Sequence, residues 1–143
     1  MKKRAIYFGV SIIAICLISF SVYQHKKINS LRSYLKNTIK YHIEMFASSP
    51  VNINDEVAYS QKYGNIVAAQ SAYTALKQGR DVPSKGYDIS LSRLFIEIKG
   101  IMINNREKIG KVTDNSDMRS LMLNIANNIE DINSIEKILE IIQ

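Results

Sequence analysis

An uncharged apolar stretch, residues 5–23, constrains this chain more than any other feature of its sequence. As an α-helix rising about 1.5 Å per residue, the stretch would extend about 28 Å, close to the roughly 30 Å thickness of the hydrocarbon core of a bilayer. It contains no proline, and Tyr7 and Tyr23 stand near its two ends, where aromatic rings favour the membrane interface. The stretch therefore predicts one transmembrane helix, retained as a signal anchor.

Basic residues flank the stretch on both sides, and no acidic residue precedes Glu44. The predicted membrane-flanking basic residues are Lys2, Lys3 and Arg4, in the N-terminal flank 1–4, and Lys26, Lys27, Arg32 and Lys36. Cations close to a membrane surface attract anionic headgroups, so membrane lipid is an expected partner. The alternative is an ordinary solvated helix face.

A cleaved secretion signal has a similar layout, with a short basic start and an apolar run. Ser19 and Ser21 could form its small-residue cleavage site, but the apolar run is longer than usual, which favours an anchor. The two basic flanks compete in setting the orientation, because each favours the cytoplasmic side. We expect a single-pass protein of a bacterial cell membrane with its C-terminal domain outside the cytoplasm, since a short basic start is typical of exported chains.

The net charge of +6 would suit a nucleic-acid partner, but this charge is concentrated at one end of the chain. Eight Lys and Arg residues precede Glu44, whereas from that residue onward eleven basic residues face thirteen acidic ones. No basic helix interleaved with aromatic residues occurs in the second part. We therefore expect no nucleic-acid partner.

Apolar residues recur every three or four positions through much of residues 24–143, which predicts an all-α domain. The predicted helices are 24–47, 54–78, 90–109 and 116–141, the first of which continues the transmembrane helix until Pro50 ends it. Gly110 is the predicted stop of the third helix, which follows a loop at 79–87. Short connections between such helices indicate an up-down-up-down four-helix bundle. The alternative is a strand within residues 87–103, which are rich in β-favouring side chains.

Residues that could carry out chemistry are few. His25 and His42 are about 25 Å apart along one predicted helix, too far to share a metal ion. Cys16 is the only cysteine and lies in the apolar stretch, so we expect no disulfide in the domain. Because no nucleophile motif or phosphate-binding loop occurs either, we predict no catalytic residue, no metal, no cofactor and no enzyme activity.

Three tyrosines of the second predicted helix, Tyr59, Tyr63 and Tyr73, form a possible groove for a peptide or small ligand. Core packing is the alternative, since a tyrosine can bury its ring while its hydroxyl finds a partner.

Anchor and bundle together predict a membrane-anchored interaction module of the cell envelope, whose partners are lipid and another protein. Two alternatives follow from analogy in size and helix count alone. One is a ligand-sensing ectodomain that works with a partner subunit, similar to the four-helix sensing domains of bacterial receptors. The other is a small self-protection protein, similar to bacteriocin immunity proteins.

Overall fold

The structure, a computed structural model, describes residues 2–78 and 91–143, with side chains described from residue 12 onward. Within these residues it contains six helices and no strand: α1 (Lys2–Ala47), α2 (Glu56–Gln78), α3 (Leu91–Asn104), α4 (Arg106–Asp114), α5 (Ser116–Asn127) and α6 (Ile132–Ile142). The all-α prediction is therefore confirmed for the described part of the chain. The alternative strand is contradicted from Leu91 onward, and the predicted loop at 79–87 lies outside the described residues.

The chain divides into two compact units, Met1–Tyr34 and Leu35–Gln143, and α1 contributes residues to both. Among the described helices, hydropathy identifies none that is long and apolar enough to cross a membrane.

The described side chains of the first unit are largely exposed on α1. Eight large apolar residues between positions 12 and 23 are each 48% to 64% exposed: Ile12, Ile13, Ile15, Leu17, Ile18, Phe20, Val22 and Tyr23. At about 100° of rotation per residue, these positions surround the helix on all sides. This part of α1 is thus apolar all round, and the described residues of the unit do not cover it.

The second unit has an apolar core, and α3 lies at its centre. This helix packs against α2, α4 and α6, and its buried side chains are Leu91, Leu94, Phe95, Ile98 and Met102. The C-terminal part of α1 joins the same core through Ile39, Ile43 and Phe46, which are 0%, 0% and 1% exposed. Their spacing of four and three places them on one helix face, as burial against a core requires.

The third predicted helix, 90–109, is wrong as a single element, because α3 ends at Asn104 and α4 begins at Arg106. Asn105 separates them as the N-cap of α4, and its side chain accepts a hydrogen bond from the Lys108 amide at 3.0 Å. An asparagine side chain can replace the backbone partner that a continuing helix would supply, which favours a new helix start.

The fourth predicted helix, 116–141, is also divided, into α5 and α6. The Asn128 side chain accepts from the Glu130 amide at 3.2 Å and turns the chain. Asp131 then caps α6, accepting from the Ser134 amide at 3.2 Å and from the Ser134 hydroxyl at 2.7 Å. The predicted four-helix arrangement is accordingly wrong in the number of helices. The caps at Asn105 and Asp131 interrupt an apolar pattern that is otherwise helical.

The start of α2 differs from the expected start by two residues. Asp55 is the cap, since its side-chain oxygen accepts from the amides of Val57 and Ala58, both at 3.0 Å, and α2 begins at Glu56 instead of Asn54. Carboxylates at this position satisfy amides of the first turn that have no partner within the helix.

Gly110 lies inside α4, where the sequence predicted a helix stop. A Cβ atom on this residue would be 3.1 Å from Cγ2 of Ile53, so the missing side chain lets the 51–53 segment lie directly against the helix. Close packing, and not helix termination, is the physical reason for glycine at this position.

Gly64 and Gly110 make a matched pair for substitution, because both are inside helices but differ in surroundings. Apart from its chain neighbours and the backbone of its own helix, no described atom lies within 4 Å of a Cβ built on Gly64. We expect Gly64→Ala to raise the free energy of unfolding by about 0.5–1 kcal/mol, because alanine loses less backbone entropy in a helix. Gly110→Ala should raise the free energy of unfolding clearly less, since the Ile53 side chain must move to make room for the added Cβ. Urea unfolding of both variants tests this, and an equal or larger gain at Gly110 would contradict the packing role.

Candidate functional site

The predicted membrane-flanking basic residues separate into groups in the structure. Lys2, Lys3 and Arg4 belong to α1, and their side chains lie outside the description. Lys26 and Lys27 are exposed and line an open groove of about 670 Å³ along α1. The other residues of this groove, which we call the lysine–tyrosine groove, are Tyr23, Ser30, Leu31 and Tyr34.

Helix geometry explains why these six residues lie together. At 3.6 residues per turn, their positions fall within an arc of about 140° on α1 and follow one another over about 16 Å. Arg32 is on roughly the opposite side of the same helix. The groove therefore includes only two of the predicted basic residues, but it adds two tyrosine rings and a hydroxyl that charge counting did not indicate.

Lys36 lines a different cavity, of about 270 Å³, in the second unit. This cavity lies between the C-terminal part of α1 and the turn after α5, and its other lining residues are Asn37, Lys40, Ala126, Asn127, Asn128, Ile129 and Glu130. The Lys40 ammonium donates to the Asn127 side chain at 2.9 Å and lies 3.7 Å from the Glu44 carboxylate. These contacts join α1 to α5, so packing accounts for Lys40.

The tyrosines of the predicted groove are held largely in the core. Tyr59 is 5% exposed, and its hydroxyl donates to the Met102 carbonyl at 2.5 Å. Tyr73 is 9% exposed and packs edge-on against the Phe95 ring, with a centroid distance of 6.3 Å. Tyr63 is half-buried against the core. Core packing, the alternative interpretation, accounts for Tyr59 and Tyr73.

A charged cluster that the sequence did not indicate joins the starts of α2 and α4. Arg106 binds both carboxylate oxygens of Glu56, one of them at 3.1 Å, and its guanidinium lies 4.4 Å from the centre of the Tyr59 ring. The hydrogen bond and charge of Arg106 lower the pKa of Glu56 from its ordinary 4.5, whereas burial raises the pKa of Tyr59. Fifty positions separate the ion pair, so no local pattern could reveal it.

Lys62 is the second unpredicted feature, and it closes the end of α1. Only 9% exposed, its ammonium donates to the carbonyls of Met45 at 2.7 Å and Phe46 at 2.8 Å, and to the Ser48 hydroxyl at 3.2 Å. These carbonyls belong to the last turn of α1, where backbone acceptors have no partner within the helix. A cation there also suits the negative end of the helix dipole, although burial lowers the pKa of Lys62 from 10.5.

The two histidines have separate surroundings. His25 is exposed on α1, while His42 is half-buried with its Nδ1 atom 2.9 Å from the Asn65 side-chain oxygen. Within residues 2–78 and 91–143, no three His, Cys, Asp or Glu side chains come together as a metal site would require.

Replacing Lys62 tests its role as the cap of α1. We expect Lys62→Met to lower the free energy of unfolding by about 1–3 kcal/mol, because partly buried carbonyls lose their donor. Lys111→Met, at an exposed position of α4, is the control and should stay within about 0.5 kcal/mol of the parent. Urea unfolding measures both, and an unchanged stability in Lys62→Met would show that the ammonium does not hold the helix end.

Comparison with known proteins finds no matching family model, no matching curated protein and no matching solved structure.

Proposed function

We propose that this protein is a non-catalytic helical binding module that the N-terminal part of α1 anchors in a membrane as a single transmembrane helix. The observation that carries the proposal is the ring of exposed apolar side chains between Ile12 and Tyr23. A helix that is apolar on all sides is characteristic of a protein interior or a membrane span. Among the described residues of its own unit, no protein interior surrounds this part of α1.

The physical cost of leaving these side chains in water supports lipid as their environment. Each square ångström of apolar surface removed from water contributes about 25 cal/mol of favourable free energy. Eight large apolar side chains are exposed along this part of α1. Soluble proteins rarely expose contiguous apolar patches of more than a few hundred square ångströms. Because a helix satisfies its own backbone hydrogen bonds, this segment can enter hydrocarbon without leaving amides or carbonyls unpaired.

The length and charge of the segment support a single crossing. Residues 5–23 carry no charge, and α1 extends beyond both ends of this stretch. Its extent of about 28 Å fits the hydrocarbon core of a bilayer. Lys26 and Lys27 follow closely and would lie in the headgroup region.

The contacts of the most distinctive polar side chains in the second unit support a binding role for this unit. Lys62 caps α1, and Arg106 pairs with Glu56 beside Tyr59. These groups hold helices together, and the groups that they contact belong to the same chain. A domain tethered at a membrane in this way acts through what it contacts, so we propose lipid and a second protein of the cell envelope as its partners.

Charges placed in the exposed apolar stretch test the anchor. We expect the full chain to sediment with membranes, to resist extraction by alkaline carbonate and to be released by detergent. The double variant Ile15→Arg with Ile18→Arg should become soluble or carbonate-extractable, because each arginine near the centre of a span opposes insertion by about 2.5–3.5 kcal/mol.

The matched control is Ile96→Arg with Ile103→Arg, which adds the same charges at exposed positions of α3. This control should remain in the membrane. Carbonate extraction of the parent chain would contradict the proposal, and so would equal extraction of the two double variants. For orientation, we propose that Leu35–Gln143 lies outside the cytoplasm, and a reporter that is active only there, fused after Gln143, should be active.

A further inference from the structure

We infer that the lysine–tyrosine groove of α1 is a binding site for the headgroups of anionic phospholipids. The inference rests on the membrane anchoring proposed above and adds to it the class of lipid that the chain selects.

The position of the groove along α1 is the first argument. Tyr23 ends the uncharged stretch and also begins the groove. Lys26 and Lys27 follow it by about 4.5–6 Å along the helix axis. The headgroup region on each side of the hydrocarbon core is about 5–7 Å deep. With the Tyr23 ring at the hydrocarbon boundary, both ammonium groups therefore lie at the depth of lipid phosphates.

The chemistry of the lining residues is the second argument. Lys26 and Lys27 present two ammonium groups, and Tyr23 adds a hydroxyl donor on the same helix face. A phosphate accepts hydrogen bonds from all of these groups. Lysine is well suited to such a contact, because its long apolar stem can lie along hydrocarbon while its charge reaches the headgroup.

The apolar part of the groove distinguishes it from a solvated basic face. Tyr23 is 62% exposed, so its large apolar ring lies next to the lysines on the same helix face. Tyrosine rings are favoured where one side of a residue is apolar and the other is wet, as at the boundary between acyl chains and headgroups. A face that only met water would gain nothing from this apolar surface.

Charge complementarity selects anionic over zwitterionic lipid. No acidic residue precedes Glu44 in the sequence, so the first unit, Met1–Tyr34, has no carboxylate that could offset the lysines. A zwitterionic headgroup carries its own cation beside its phosphate, and this cation is repelled by Lys26 and Lys27. An anionic headgroup brings only the attractive charge.

The absence of tryptophan from the sequence allows a direct test with the full chain. Phe20→Trp places one fluorophore in the apolar stretch, outside the groove and at an exposed position. The protein is reconstituted in vesicles of equimolar phosphatidylglycerol and phosphatidylcholine, with brominated acyl chains on one lipid or the other. The ratio of quenching by the two brominated lipids measures which lipid surrounds the helix.

We expect stronger quenching by brominated phosphatidylglycerol, and a preference that declines at about 0.5 M salt because exposed charges are screened. In the Phe20→Trp background, Lys26→Gln with Lys27→Gln should reduce the preference by at least about fivefold, since one lysine near an anionic surface contributes about 1 kcal/mol. The control pair, Lys111→Gln with Lys137→Gln, removes equal charge from exposed positions of α4 and α6 and should leave the preference unchanged.

The outcomes separate this inference from the anchoring that it rests on. Quenching by neither brominated lipid would overturn the membrane anchor, and the lipid site with it. Equal quenching by both lipids would leave the anchor standing and overturn the site. An equal loss of preference in the control pair would assign the effect to net charge and would also overturn the groove as the site.

Discussion

Apolar side chains between Ile12 and Tyr23 surround α1 without cover from the described residues of their unit, and the free energy of leaving them in water constrains what the protein can be. Farther along the same helix, Ile39, Ile43 and Phe46 are fully buried in a protein core. One helix thus contributes to two units with different surroundings. In the proposed function, lipid surrounds its first part and protein surrounds its last part.

The second unit depends on interactions that end helices as much as on its apolar core. Lys62 completes the last turn of α1, and Asn105, Asn115 and Asp131 begin α4, α5 and α6. Each cap satisfies backbone groups that a helix end leaves without partners. Because α4, α5 and α6 are short, such ends are frequent, and polar side chains that might otherwise form a site are used to close them.

The sequence predicted the features that arise from long patterns. Periodic apolar residues indicated an all-α domain, and counting charges indicated the basic residues next to the apolar stretch but not the groove that two of them line. The division of two predicted helices into four was missed because Asn105 and Asn128 act through single side-chain hydrogen bonds, which barely change the apolar periodicity. Asn115 acts in the same local way: it follows the last residue of α4, and its side chain caps the start of α5.

Long-range contacts were beyond sequence reasoning for a different reason. Arg106 and Glu56 are distant in sequence, and they meet in a fold in which both of their helices pack against α3. Lys62 looked like an ordinary helical lysine, because nothing in its neighbours shows that it reaches back to Phe46. Gly110 was assigned to a helix end because its close neighbour, Ile53, lies in a separate segment.

The reactivity of Cys16 in native membranes tests the anchor most directly. This residue is the only cysteine of the chain, and it is exposed in the middle of the apolar stretch. A charged maleimide needs both access and a thiolate, and hydrocarbon denies both. We predict no labelling in opened membrane vesicles and full labelling after the vesicles are dissolved in SDS. Ser60→Cys in a Cys16→Ser background should react at once, and equally rapid labelling of Cys16 would contradict the account.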